Sequence, residues 1–78
     1  MPENERVLTY GEKAVGLSFN PSGDAKVNKL KELFAEIIDI CHDSQAASSS
    51  DTYSFYSVAI TQAQGAQMWA VKAATWRD

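Results

Sequence analysis

The residues with chemistry to offer gather at one turn and the helix it opens: Phe19-Asn20-Pro21-Ser22-Gly23-Asp24-Ala25-Lys26-Val27-Asn28-Lys29-Leu30-Lys31. Pro21 fixes φ, Gly23 permits positive φ, and Ser22 or Asp24 is placed to cap the helix. Three lysines, Lys26, Lys29 and Lys31, come first, and Glu32, Glu36, Asp39 and Asp43 come after them. That order opposes the helix dipole, whose positive end favours acidic side chains, and each exposed misplaced cation forfeits about 0.3 to 1 kcal/mol. Two arrangements would offset the penalty. The lysines and the free backbone N–H groups of the first turn could hold an anion such as phosphate. Alternatively the helix could lie antiparallel to a copy of itself, basic half against acidic half, and the two arrangements are compatible. Tyr10, beside Gly11, is the other candidate: its ring can fold over a flat ligand or simply pack.

Other chemistry is missing. One histidine and no nucleophile-elbow pattern leave no signal for a hydrolytic triad. Cys41 and His42 are neighbours whose side chains diverge by about 100° on a helix, so they make no nucleophile and base pair, and they read as core and surface respectively. Glu32, Glu36 and Asp39 read as a solvated or partner-facing stripe rather than a metal site, and one cysteine beside one histidine falls short of the usual ligand set. No Walker-type or dinucleotide-fold glycine pattern occurs. The residues describe a binder without a catalytic, metal or cofactor site.

The elements that must position these residues are helical. Residues 1–8 read as a loosely ordered polar lead ending in Val7-Leu8. Thr9 is placed to cap one short helical turn with Glu12 as its capping-box partner and Gly16 as its end. After the turn, Val27, Leu30, Leu33, Phe34, Ile37, Ile38 and Cys41 recur at steps of three and four, predicting an amphipathic helix over about 24–43. A small polar string from Ser44 to Asp51 reverses the chain, and Asp51 or Thr52 starts a second long helix ending near Trp76, over about 52–76. Two stripes run along it. Tyr56, Ile60, Ala63, Gln67, Ala70 and Ala74 form one; Val58, Gln62, Ala66, Trp69, Ala73 and Trp76 form the other. The alanines allow close approach, and Trp69 and Trp76 are expected to bury large areas. A helix apolar on more than one side needs partners beyond its own hairpin.

Size points the same way. At 78 residues this is one small domain, for which a single core seldom supplies more than about 3 to 5 kcal/mol. No internal disulfide is possible with one cysteine, so oligomerisation remains as the stabilising route. A net charge of −3 argues against a broad surface for DNA or RNA, so any polyanion site is local. The start, Met1 to Arg6, has neither the basic region nor the apolar run of a secretory signal, and no apolar run is long enough to span a bilayer. The chain is expected to be soluble and intracellular.

With the second helix read beside the turn, the pattern resembles the small phage anti-CBASS sponge proteins, which share a helical-hairpin domain with the Thoeris anti-defence sponges. Ala59-Ile60-Thr61, Ala66-Gln67-Met68-Trp69-Ala70, Ala73 and Lys26-Val27-Asn28-Lys29-Leu30-Lys31 carry the resemblance, over roughly residues 19–77. It implies hairpins that interlock into dimers and then hexamers and sequester cyclic oligonucleotide immune signals without cleaving them. One pocket type would take cyclic dinucleotides such as cyclic GMP-AMP, another cyclic trinucleotides; the Thoeris relatives bind cyclic ADP-ribose derivatives. By that resemblance Tyr10 would stack on a base, Lys26 would contact phosphate, and Gly23 and Asn28 would line a second pocket. Relatives tend to be acidic where this chain has Gln62, Gln64 and Gln67.

The expectation is therefore an all-α protein: an antiparallel helical hairpin with a short N-terminal helical turn, interlocking into a homo-oligomer. Residues 1–78 form a single domain, with 1–23 its N-terminal segment and turn. Its function would be to sequester a cyclic di- or trinucleotide in the host cytoplasm and so block a CBASS effector. The alternative is a helical protein-interaction module with no nucleotide ligand.

Overall fold

Three helices, α1 (Tyr10–Val15), α2 (Ala25–Gln45) and α3 (Ser50–Thr75), make up the computed structural model, which describes residues 7–77. Residues 1–6 of the polar lead, and Asp78, lie outside the described residues. Among the described residues there is no strand, and no helix is long and apolar enough to cross a membrane.

Local sequence accounts for each boundary. The Thr9 hydroxyl accepts from Glu12 N, and the Glu12 carboxylate accepts from Thr9 N at 2.9 Å, the reciprocal capping box that the spacing predicts. Gly16 ends α1 in the left-handed region (φ 63°), which lets Leu17 N–H reach back to Glu12 O. Asp24 caps α2 by accepting from Lys26 N. The second long helix starts earlier than Asp51 or Thr52. Ser49 caps it by accepting from Thr52 N, which confines the reversal to residues 46–49.

The helices α2 and α3 pack antiparallel, and α1 runs back along α2. Val15, Ala35, Ile38 and Ile60 form the buried core, with Ala14, Leu17, Phe34, Cys41 and Ala63 packed against it. The buried edge of α2 is Val27, Lys31, Ala35, Ile38 and Gln45. It is rotated from the expected face, leaving Leu33 and Ile37 about half-exposed, because Ala35 admits α1 where a leucine would hold it off. At the loop end, Gln45 donates to Ser57 Oγ (2.8 Å) and to Tyr53 O (3.3 Å), tying the two long helices together.

This body is thin. Its extents are 44 × 39 × 12 Å, the shortest being about the diameter of one helix with its side chains. The radius of gyration is 14.0 Å, against about 11.5 Å for a compact domain of this length. A plate of that thickness has two broad faces and little interior.

The expected burial of Trp69 and Trp76 is not met within the chain. Trp69 is 70% exposed and Trp76 64%. The stripe with Ile60, Ala63 and Gln67 faces α2, and the stripe with Val58, Trp69 and Trp76 faces outward. Alanines let two helix backbones approach, whereas indoles in the seam would wedge them apart.

Candidate functional site

The first turn of α1 is fastened to α2 by a single carboxylate. Asp39 accepts from the Thr9 hydroxyl and from Gly11 N, both at 2.7 Å. Gly11 is required by this docking, since a Cβ there would sit 2.1 Å from the Ala35 carbonyl oxygen. Between those anchors Tyr10 projects, and its ring lies flat on His42, with centroids 4.0 Å apart and planes within 4°. Tyr10 keeps 47% of its surface exposed. The ring is a presented surface, not a core group.

At the opposite end of α2 the turn is held by its own side chains. Asn20 Nδ2 donates to Asp24 O (3.1 Å), Ser22 Oγ donates to Asn20 Oδ1 (2.7 Å), and Asp24 N donates to Ser22 Oγ (3.2 Å). Gly23 adopts φ 66°, and a Cβ there would meet nothing within 4 Å. Lys26 and Lys29 are exposed, and Asn28 donates to Glu32 Oε1 at 3.0 Å.

Two features of the lysine cluster differ from the sequence expectation. Lys31 is only 6% exposed: its ammonium donates to the carbonyls of Gly16 and Phe19 and lies 5.6 Å from the Phe19 ring centroid. It closes the connection between α1 and the turn, with two of its three N–H donors engaged by backbone carbonyls. The helix start is also already occupied. The Asp24 carboxylate sits on Lys26 N at 2.7 Å, where a bound anion would otherwise be received. Any anion at this end is met by the Lys26 and Lys29 side chains more than by bare backbone N–H groups.

The four candidates therefore fall into two places. Gly23, Lys26 and Asn28 share the turn and the start of α2. Tyr10 lies beside His42, sixteen residues along the helix from Lys26, about 24 Å at 1.5 Å per residue. One chain does not bring Tyr10 and Lys26 together. A cleft of about 220 Å³ opens between the turn and the end of α3, lined by Phe19, Pro21, Val27, Lys31, Val71 and Thr75. It contains none of the four.

Sequence reasoning passed over Asp39 and His42, reading the first as part of an acidic stripe and the second as surface. Their spacing of three puts them on one side of α2. Only the docking of α1 reveals that they face Thr9, Tyr10 and Gly11.

The outward stripe of α3 extends further than expected. Phe55, Val58, Gln62, Gly65, Trp69, Lys72 and Trp76 recur at alternating steps of three and four, the spacing of a helix-pairing seam. Lys72 lies over the Trp69 and Trp76 rings, 5.0 and 5.7 Å from their centroids. Gly65, in the middle of the seam, has open space where a Cβ would stand. Nothing among the described residues calls for glycine there. Gln67, by contrast, is buried against α2, where an acidic side chain would carry the cost of a buried charge.

No group of acidic, histidine or cysteine side chains able to hold a metal occurs among the described residues. The family model described as the Acb2/Tad1 hairpin domain matches residues 12–75, from within α1 to the last residue of α3. Gly23, Lys26 and Asn28 lie inside that span and Tyr10 just outside it. No curated protein and no solved structure matches the chain.

Proposed function

Since the chain belongs to the Acb2/Tad1 hairpin-domain family of phage anti-defence sponges, we propose that it sequesters cyclic oligonucleotide immune messengers without cleaving them, and so keeps a CBASS effector from activating. The ligands would be cyclic dinucleotides such as cyclic GMP-AMP, cyclic trinucleotides, or both. Such molecules combine flat bases with two or three phosphate charges, and they call for stacking rings beside a few local cations.

The observation that carries this reading is the family match over residues 12–75; within one chain Tyr10 lies beside His42, sixteen helical residues from Lys26. A site using both must take Tyr10 from one copy and Lys26 from another, which makes a homo-oligomer part of the site. In a symmetric assembly each contributes more than once, in keeping with the near two-fold symmetry of a cyclic dinucleotide. The outward seam of α3, with Gly65 at its middle and Asp51 and Arg77 at its two ends, supplies a surface for antiparallel pairing of copies, and a hexamer is the favoured assembly. Gly23 and Asn28, on the turn side of Lys26, would line the second pocket type.

The test is thermal melting against a panel of cyclic di- and trinucleotides and cyclic ADP-ribose derivatives. A ligand at 100 times its Kd adds about 2.7 kcal/mol, a clear shift for a chain this size. Lys26→Glu should abolish the shift while the assembly persists. Recovery of intact ligand on denaturation would separate sequestration from hydrolysis. A folded oligomer with no shift for any member would favour the second reading, a protein-interaction module in which the exposed indoles of α3 meet another protein.

A further inference from the structure

We infer that His42 is a positioning residue, holding the Tyr10 ring as a one-sided stacking platform for a single flat heteroaromatic ring such as a nucleobase. The imidazole covers one face of the phenol ring at 4.0 Å, nearly parallel to it. What Tyr10 leaves exposed is therefore its opposite face and edge. The backbone on either side is fixed independently, by Asp39 on Thr9 and Gly11 and by the close seat of Gly11 on the Ala35 carbonyl. The two rotatable bonds of the Tyr10 side chain are thus constrained at both ends, by Asp39 at the backbone and by His42 at the ring.

Stability alone does not account for this arrangement. Tyr10 and the His42 side chain keep 47% and 45% of their surface exposed, and neither belongs to the core of Val15, Ala35, Ile38 and Ile60. An ordered exposed ring is instead suited to binding, because a ligand that stacks on it does not have to immobilise the side chain first. With one face closed, each Tyr10 offers room for one ring and fixes the side from which it must approach. The identity of that ring as part of a cyclic nucleotide rests on the sponge function; the holding of Tyr10 by His42 does not.

The experiment uses the full chain with His42→Ala, His42→Phe, Tyr10→Ala and the Tyr10→Ala/His42→Ala double variant. Proton NMR of the Tyr10 ring is recorded without ligand, and cyclic GMP-AMP binding is measured by calorimetry. His42→Ala should move the Tyr10 ring resonances downfield as the imidazole's shielding is lost. It should also weaken binding about three- to ten-fold, the usual worth of a stacked pair. His42→Phe should restore both, and His42→Ala should change nothing further once Tyr10 is alanine. Unmoved Tyr10 resonances in His42→Ala would overturn the inference, as would unchanged affinity or a loss that phenylalanine does not repair. If the wild-type chain binds no cyclic nucleotide, the sponge reading fails separately. The ring resonances then decide for or against the holding role of His42.

Discussion

The two stripes of α3 are both apolar, and they meet different surroundings. The stripe through Ile60, Ala63 and Gln67 lies against α2, with Ile60 in the core. The stripe through Val58, Trp69 and Trp76 holds both tryptophans, the largest side chains in the chain, and stays outside. Hydrophobicity alone would have turned the indoles inward. Shape decides the matter: a small-residue stripe lets two backbones close on each other, and a core this small is gained only by close approach. The bulky stripe is left for a surface that can be shaped around it, which the sponge reading identifies as another copy of the chain.

Substitutions on the two stripes should therefore differ in what they break. The largest effect on folding is expected at the inner stripe, where Ile60→Ala should cost about 2 to 5 kcal/mol in urea unfolding of the chain at any concentration. A loss below about 1 kcal/mol, outside the usual range for such a truncation, would mean that α2 and α3 are not held by this core. Trp69→Ala should act on assembly instead. Loss of a central interface indole typically costs about 2 kcal/mol or more, so mass measured by light scattering should fall on dilution; unchanged mass would exclude the outer stripe as the contact between copies.

Gly11→Ala sharpens the comparison from the α1 side. Its Cβ would collide with the Ala35 carbonyl, so α1 should be displaced at a cost of about 1 to 3 kcal/mol, with the Tyr10 ring resonances moving as they do in His42→Ala. Wild-type stability would mean that α1 is not clamped. The smallest expected change, and the most discriminating, is Gly65→Ala. In a lone helix it should stabilise by about 0.5 to 1 kcal/mol, because nothing among the described residues opposes a Cβ there. If a second backbone passes over Gly65 in the assembly, the same substitution should weaken association while raising the stability of the dissociated chain. Improvement of both would mean that no neighbouring backbone requires a glycine in the middle of the seam.

What sequence alone determined is local. The Thr9–Glu12 capping box, the Gly16 stop, the cap before Lys26 and the division of α3 into two stripes all depend on residues within a turn or two of each other, where spacing and chemistry suffice. The family, matched over residues 12–75, was legible for the same reason, since its pattern lies along the hairpin itself. Only the tertiary structure decided which stripe faces inward and where each candidate site residue ends up. Lys26 and Lys31 look alike as cations on one helix. Yet Lys31 is drawn inside by two carbonyls twelve and fifteen residues away, and Asp39 and His42 acquire their partners from a segment about thirty residues earlier. Contacts between segments so far apart depend on how α1 docks and which edge of α2 it meets, and no period within either helix records that choice.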